Sequence, residues 1–379
     1  KYGIEVVDPL SPNFPHPKVV IPPPTNHPAF KDSRPEDHPL YKTSRCLSHD
    51  GSKPFAEGIK QALVLVKGIQ RNGLPEKLFE NVRKLDVDGM KDRVIKSIMQ
   101  SQEWDPTFEK LPKRRDEKIW WFKWPSYYGI PQTRKNEILL DNMYRLTLSL
   151  SSRFPGIGRS NYFKNGQINA VYERGSDLVQ VCCKPRATIS SYAPLKILEN
   201  CESVARTSQE TVVDIYPISS KIDLVATNVY DDAPTHPLMW ADTTSIPRTA
   251  LLTKDINLDY PWTATETCAN AIMAAFGLAA SHAQLKYAAP GGKRYRGVLP
   301  QPIVTQCIQL CGGTFDFVVM QLNTLDMSND DGVKNIVWID KNNKLFQTVP
   351  FYETLKEVKE YNPEVVRKFL ALTLNDTEG

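Results

Sequence analysis

Two stretches carry residues whose type and spacing suit chemistry on a polyanion. Between residues 102 and 131, Lys113, Arg114, Arg115, Lys118 and Lys123 interleave with Trp120, Trp121, Phe122 and Trp124. Cations suit phosphate oxygens and flat rings suit unstacked bases, so a single-stranded nucleic acid would use this pattern. The same residues also fit a loop whose tryptophans pack inward while the lysines stay in water. The second stretch is Pro290-Gly291-Gly292-Lys293-Arg294-Tyr295-Arg296-Gly297. Its backbone N–H groups and three cations could cradle phosphate, or simply be solvated. It lacks P-loop spacing and does not lead from a strand into a helix. The candidate RNA-binding set is therefore Lys113, Arg114, Arg115, Lys118, Trp121, Lys123, Lys293, Arg294 and Arg296.

Catalytic patterns are weaker. The sequence has no HExxH, GxSxG or paired CxxC. Asp326, Ser328, Asp330, Asp331 and Gly332 resemble the start of a calcium loop, but the glycine is one place late and the twelfth-position acid is missing. Asp223, Asp316 and Gln321-Leu322-Asn323 loosely resemble a metal-dependent nuclease core. Such a core wants an acid and a lysine on that strand, and uncharged Gln321 and Asn323 would leave it inert. An inactive or weak nuclease-like RNA-binding protein is the alternative function. His16, His27, His38 and His49 recur at even spacing, whereas zinc ligands come in tight pairs. The 7 cysteines are scattered and read as buried, reduced thiols. No catalytic residue, metal or cofactor is assigned, and no enzymatic role is expected.

The elements must position the cationic loops. Of 379 residues, 41% are hydrophobic and 24% charged, the balance of a soluble globular chain. A net charge of +4 is compatible with local anion-binding patches. No apolar run approaches the roughly 18 residues of a membrane span. The chain opens at Lys1 without an initiator methionine, as a processed terminus would.

The expected fold is α+β. Residues 1–50 are proline-rich and read as an extended arm, along either another macromolecule or its own domain. Residues 51–154 read as a helical region, with helices over 55–71, from Pro75, over 90–100, and over 133–153 with Thr133 as cap. Residues 155–379 read as an α+β domain with a mixed, largely antiparallel sheet. There, 168–174 and 177–184 form a hairpin at Gly175, and 200–210 a short helix. Tyr216–Leu224, Leu238–Ala241 and Ile303–Leu310 read as strands. Thr263 and Glu266 make a capping box for an alanine-rich, buried helix to Tyr287, on which His282 reads as a core residue. Phe315–Leu322 is apolar enough to be a central strand. Ile336–Ile339 and, after a turn at 341–344, Leu345–Val349 would complete three antiparallel strands. Helices over 352–361 and 363–374 would close the sheet.

Ordered motifs run through most of the length. They include His38-Pro39-Leu40-Tyr41-Lys42, Gly73-Leu74-Pro75-Glu76-Lys77 and Tyr216-Pro217-Ile218-Ser219. They continue with Gln321-Leu322-Asn323-Thr324, Gly332-Val333-Lys334-Asn335 and Arg367-Lys368-Phe369-Leu370. With these motifs the chain resembles the family of mitochondrial ribosomal large-subunit protein thirty-seven. That family is related to the mitochondrial ribosomal protein numbered thirty, programmed cell death protein nine. The resemblance implies a structural constituent of the mitochondrial large ribosomal subunit in the matrix, supporting mitochondrial translation. It implies contacts with mitochondrial ribosomal RNA, with other large-subunit ribosomal proteins and with a homologous partner. It also implies import on a transit peptide that is then removed. The segment 102–131 is longer than the family's usual link, and 150–200 matches weakly.

Overall fold

The computed structural model describes residue 3 and residues 34–102, 109–114, 117–119, 121–237, 245–255, 261–288, 294–350 and 352–377. In chain order the elements are β1 (Tyr41–His49), α1 (Ile59–Leu65), β2 (Gly68–Asn72), α2 (Lys91–Gln102), β3 (Glu109–Lys110), β4 (Tyr128–Gly129) and α3 (Gln132–Leu148). There follow β5 (Ser160–Lys164), β6 (Ile168–Arg174), β7 (Asp177–Cys183), β8 (Ala187–Ser191), α4 (Cys201–Arg206), β9 (Val225–Val229) and β10 (Ile246–Lys254). The chain ends with α5 (Ala264–Tyr287), β11 (Val298–Cys311), β12 (Thr314–Thr324), β13 (Asn335–Lys344) and α6 (Pro363–Thr373).

The architecture is α+β, with helices on a mixed sheet. A 7-stranded sheet runs β2-β13-β12-β11-β10-β8-β5, and a 4-stranded sheet runs β6-β7-β1-β9. Helix α5 joins β10 to the parallel β11 as a crossover and packs against both sheets. Its composition explains the sandwich. Thr263 accepts from the Glu266 backbone while the Glu266 side chain accepts from the Thr263 N–H, so two orphan donors are satisfied. Beyond that cap, alanines from Ala269 to Ala283 let strands approach from two sides. At Gly277 a Cβ would sit 2.9 Å from Val181 Cγ1, so only a hydrogen fits against β7.

Strand β12 is buried along nearly its whole length, as expected of a central strand. Val318, Met320 and Leu322 face the core under α5. Phe315, Phe317 and Val319 face a second core, shared with α2, α3 and α6. Phe369 of α6 meets Phe315 edge-on at 6.2 Å between ring centroids. Each such side chain contributes roughly 1.5–3 kcal/mol by leaving water.

Several segments depart from the sequence expectation, each for a local reason. Prolines are absent between Pro39 and Pro54, and there the expected arm becomes β1, an inner strand between β7 and β9. The helix over 55–71 stops at Leu65, because Lys67 at φ 49° leaves right-handed space. Ile69 then serves the parallel strand β2 on β13. After Pro75 the chain makes short 3-10 turns, Glu76–Phe79 and Val82–Lys84, that still point Leu78 and Val82 inward. Thr133 is not the cap of α3; Pro131 is, and the Thr133 hydroxyl donates to Asp255. Residues 216–224 are turns, with the strand beginning at Val225. Leu238–Ala241 lies outside the described residues.

The 341–344 turn is instead a continuation of β13 across an irregularity, with Asn342 at φ 60°. Leu345–Val349 is irregular, so the three consecutive antiparallel strands are β11, β12 and β13. No helix forms over 352–361, whereas α6 begins as expected at Pro363, capped by Asn362. The helical region and the later residues are not separate layers. Strand β2 pairs with β13, and α3 packs against β10, β11 and α6.

Candidate nucleic-acid interface

The basic-aromatic stretch is a flap whose base is a two-stranded ribbon. Strands β3 and β4 pair antiparallel, and the Leu111 N–H donates to the Tyr127 carbonyl at 2.9 Å. Leu111 and Ile130 are buried at that base. Arg114 is a wedge: its guanidinium lies 3.7 Å from the Trp124 ring centroid and 4.3 Å from that of Tyr352. The negative ring faces hold its charge, so Arg114 fastens the flap to the segment before α6. Phe122 meets Trp124 edge-on at 4.7 Å.

The remaining flap cations point outward. Lys113, Lys118 and Lys123 are exposed, and Trp121 is 66% exposed. Among the described residues, Lys113 and Lys123 take part in no ion pair or side-chain hydrogen bond. Arg115, like Trp120, lies outside the described residues.

The second loop is built differently. Lys293 is outside the described residues, while 294–297 is tied back onto α5. Gln284 accepts from the Tyr295 N–H at 2.7 Å and donates to the Tyr295 carbonyl at 3.2 Å. Arg294 pairs with Asp232 at 3.4 Å, and Asp232 also pairs with Lys42 at 3.2 Å. Arg296 pairs with Glu173. These two arginines therefore meet carboxylates of the chain itself. Among the described residues no bond joins the two loops: one sits on the helical side, the other by the four-stranded sheet.

The flap also brings in residues that sequence reasoning missed. Tyr127, Tyr128, Tyr352, Glu353, Gln102 and Lys135 line a cleft of about 160 Å³ at its base. Burial pushes the Lys135 ammonium below its ordinary pKa. Tyr127 and Tyr128 adjoin the basic run and could have been read with it. Tyr352 is remote in sequence, and no local signal links it to the flap.

The acids considered for metal chemistry are committed elsewhere. Asp223 accepts from the Ala56 N–H at 2.9 Å and from Gln61 at 3.0 Å, fixing the entry to α1. Asp316 accepts from the Asn342 N–H at 2.8 Å, and burial raises it to about 6. Gln321 takes the Leu198 and Glu199 N–H groups, both at 3.0 Å. Asn323 donates to the Lys334 carbonyl at 2.9 Å. Asp326 accepts from Ser328, and Asp330 pairs with Arg174. Among the described residues no three His, Cys, Asp or Glu side chains are grouped to hold a metal. Burial lifts the Cys46 thiol to about 11 and the Cys183 thiol to about 12, so both stay protonated at neutral pH.

Comparison with known proteins gives first a class and then a family. Residues 257–377, from just before α5 to just past the end of α6, match the family model described as mitochondrial 28S ribosomal protein S30 (PDCD9). Matches to curated proteins are longer. Large ribosomal subunit protein mL37 of Bos taurus is 29% identical over 98% of this chain and 82% of that protein. The rat protein of the same name, from Rattus norvegicus, is 30% identical over 84% of this chain and 72% of that protein. The chicken one, from Gallus gallus, is 28% identical over 85% and 72%. The chain belongs to the mL37 family of large ribosomal subunit proteins.

Proposed function

We propose that the chain is a non-catalytic structural component of the large subunit of the mitochondrial ribosome, in the matrix, supporting mitochondrial translation. The observation that carries this reading is family membership across most of the chain. Its contact with ribosomal RNA is through the flap, where Lys113, Lys118, Lys123 and Trp121 are all exposed. Cations there meet phosphates while the ring stacks on an unpaired base. Arg294 and Arg296 contribute less, since each already faces a carboxylate. Arg115 and Lys293 stay in the proposed set by their place in the two loops. Neighbouring large-subunit proteins, including a homologous partner, share the remaining surface. Among the described residues no helix is long and apolar enough to cross a membrane.

The test is sedimentation of a tagged chain from mitochondrial lysate. Co-migration with large subunits, and ultraviolet crosslinks from the flap to ribosomal RNA, are expected. A chain found only in the soluble fractions would overturn the proposal.

A further inference from the structure

We propose that the cleft beneath the flap is a seat for one unpaired nucleotide extruded from an RNA helix. This rests on the reading that the flap contacts RNA. Three features of the cleft point to that ligand. Tyr127, Tyr128 and Tyr352 supply rings, and every base has a face that stacks on one. Lys135 supplies a cation; among the described residues it has no ion pair or side-chain hydrogen bond, although it is half-buried. A half-buried ammonium without a partner calls for an anion, and the nucleotide's phosphate is one. Glu353 supplies an acceptor at the same rim, suited to the exocyclic amine of a base.

Size and rigidity agree. The volume of about 160 Å³ far exceeds the space of one water and is below that of a complete cofactor site. One ring system with its phosphate suits that space. The wall is fixed before binding, because Arg114 clamps the flap onto Tyr352 and β3 pairs with β4. The cleft is thus preformed and open at Tyr128, which is 57% exposed. Glu353 gives the seat a bias: cytosine, adenine and guanine carry an exocyclic amine and uracil does not.

The experiment measures binding of the full chain to RNA hairpins by fluorescence anisotropy. One hairpin is fully paired, one carries a single bulged cytidine and one a bulged uridine. We expect about tenfold tighter binding of the cytidine bulge than of the paired control. Lys135→Gln or Tyr128→Ala should remove that preference and leave binding of paired RNA unchanged. Glu353→Gln should equalise cytidine and uridine.

Equal affinity for bulged and paired RNA, with both weakened by Lys113→Glu and Lys123→Glu, would overturn the seat and leave the flap as an RNA contact. No binding of any hairpin would overturn the RNA reading and the seat with it. Competition by free cytidine monophosphate at the concentration of the bulged RNA would mark a small-molecule site instead. A photocrosslinker at position 128 that reaches a protein in purified large subunits would overturn the seat in favour of a protein occupant.

Discussion

Asp316 shows how a residue can look catalytic from sequence and act as a packing element in the fold. It sits on the α5-facing side of β12, nearly out of contact with water. Burial raises its pKa to about 6, so the folded protein holds a proton that the unfolded chain releases near its ordinary value. Its favourable contribution is complete below the unfolded pKa and is lost as pH rises through the folded one. Above that window the buried carboxylate opposes folding. Asp316→Asn keeps an oxygen for the Asn342 N–H and removes the charge. Denaturant unfolding should show the variant stabilised by roughly 3 kcal/mol at pH 7.5, with the gain shrinking towards pH 4. A gain independent of pH would refute the burial argument. Lys113 and Lys123 are the opposite case, exposed cations whose value appears only against a partner. If each neutralises one phosphate of a single strand, Lys113→Gln with Lys123→Gln should lower the salt slope of RNA binding by about 1.4. Unchanged slope would mean that both lysines face water in the complex.

At the scale of elements, what the sequence discloses is what is encoded locally. The capping box at Thr263, the hairpin turn at Gly175 with φ 64° and the Asn362-Pro363 start of α6 each lie within a few residues of their effect. Strand β12 is legible because burial on both faces leaves a continuous apolar run. Strand β2 is not, since Ile69 continues the helical period of Ala62, Leu63 and Val66 as readily as it fits an edge strand. Only β13, far along the chain, decides between them. The flap shows the same division: its cations are plain in the sequence, whereas the ring of Tyr352 that anchors Arg114 is not. Helix α5 gives this a measurable form. Gly277→Val adds bulk where a Cβ already meets Val181 Cγ1 at 2.9 Å. Overpacking there should cost about 1–3 kcal/mol in urea unfolding despite the better helix propensity of valine. A variant as stable as the parent would show that β7 can move away from α5.

For the whole molecule, the two cores share their central wall. Strands β10 to β13 present one face to α5 and the other to α2, α3 and α6. Stability cannot therefore divide at residue 154, where sequence composition changes from helical to mixed. Removing residues 51–154 would strip β2 from the sheet edge and bare the faces of β10 and β11 that α3 covers. The chain's end is fastened across the same divide. The Asn81 side-chain amide donates to the Leu374 carbonyl at 2.8 Å, and the Thr147 and Thr373 hydroxyls meet at 3.2 Å. A fragment spanning residues 155–379 should consequently expose apolar surface and bind a hydrophobic dye, while the full chain does not. In the full chain, urea transitions followed by tryptophan fluorescence and by far-ultraviolet circular dichroism should coincide. Leu139→Ala in α3, which opens a cavity in the second core, should move both midpoints together, by the equivalent of about 2–5 kcal/mol. Two separated transitions, only one of them shifted by Leu139→Ala, would mean that the helical side folds on its own.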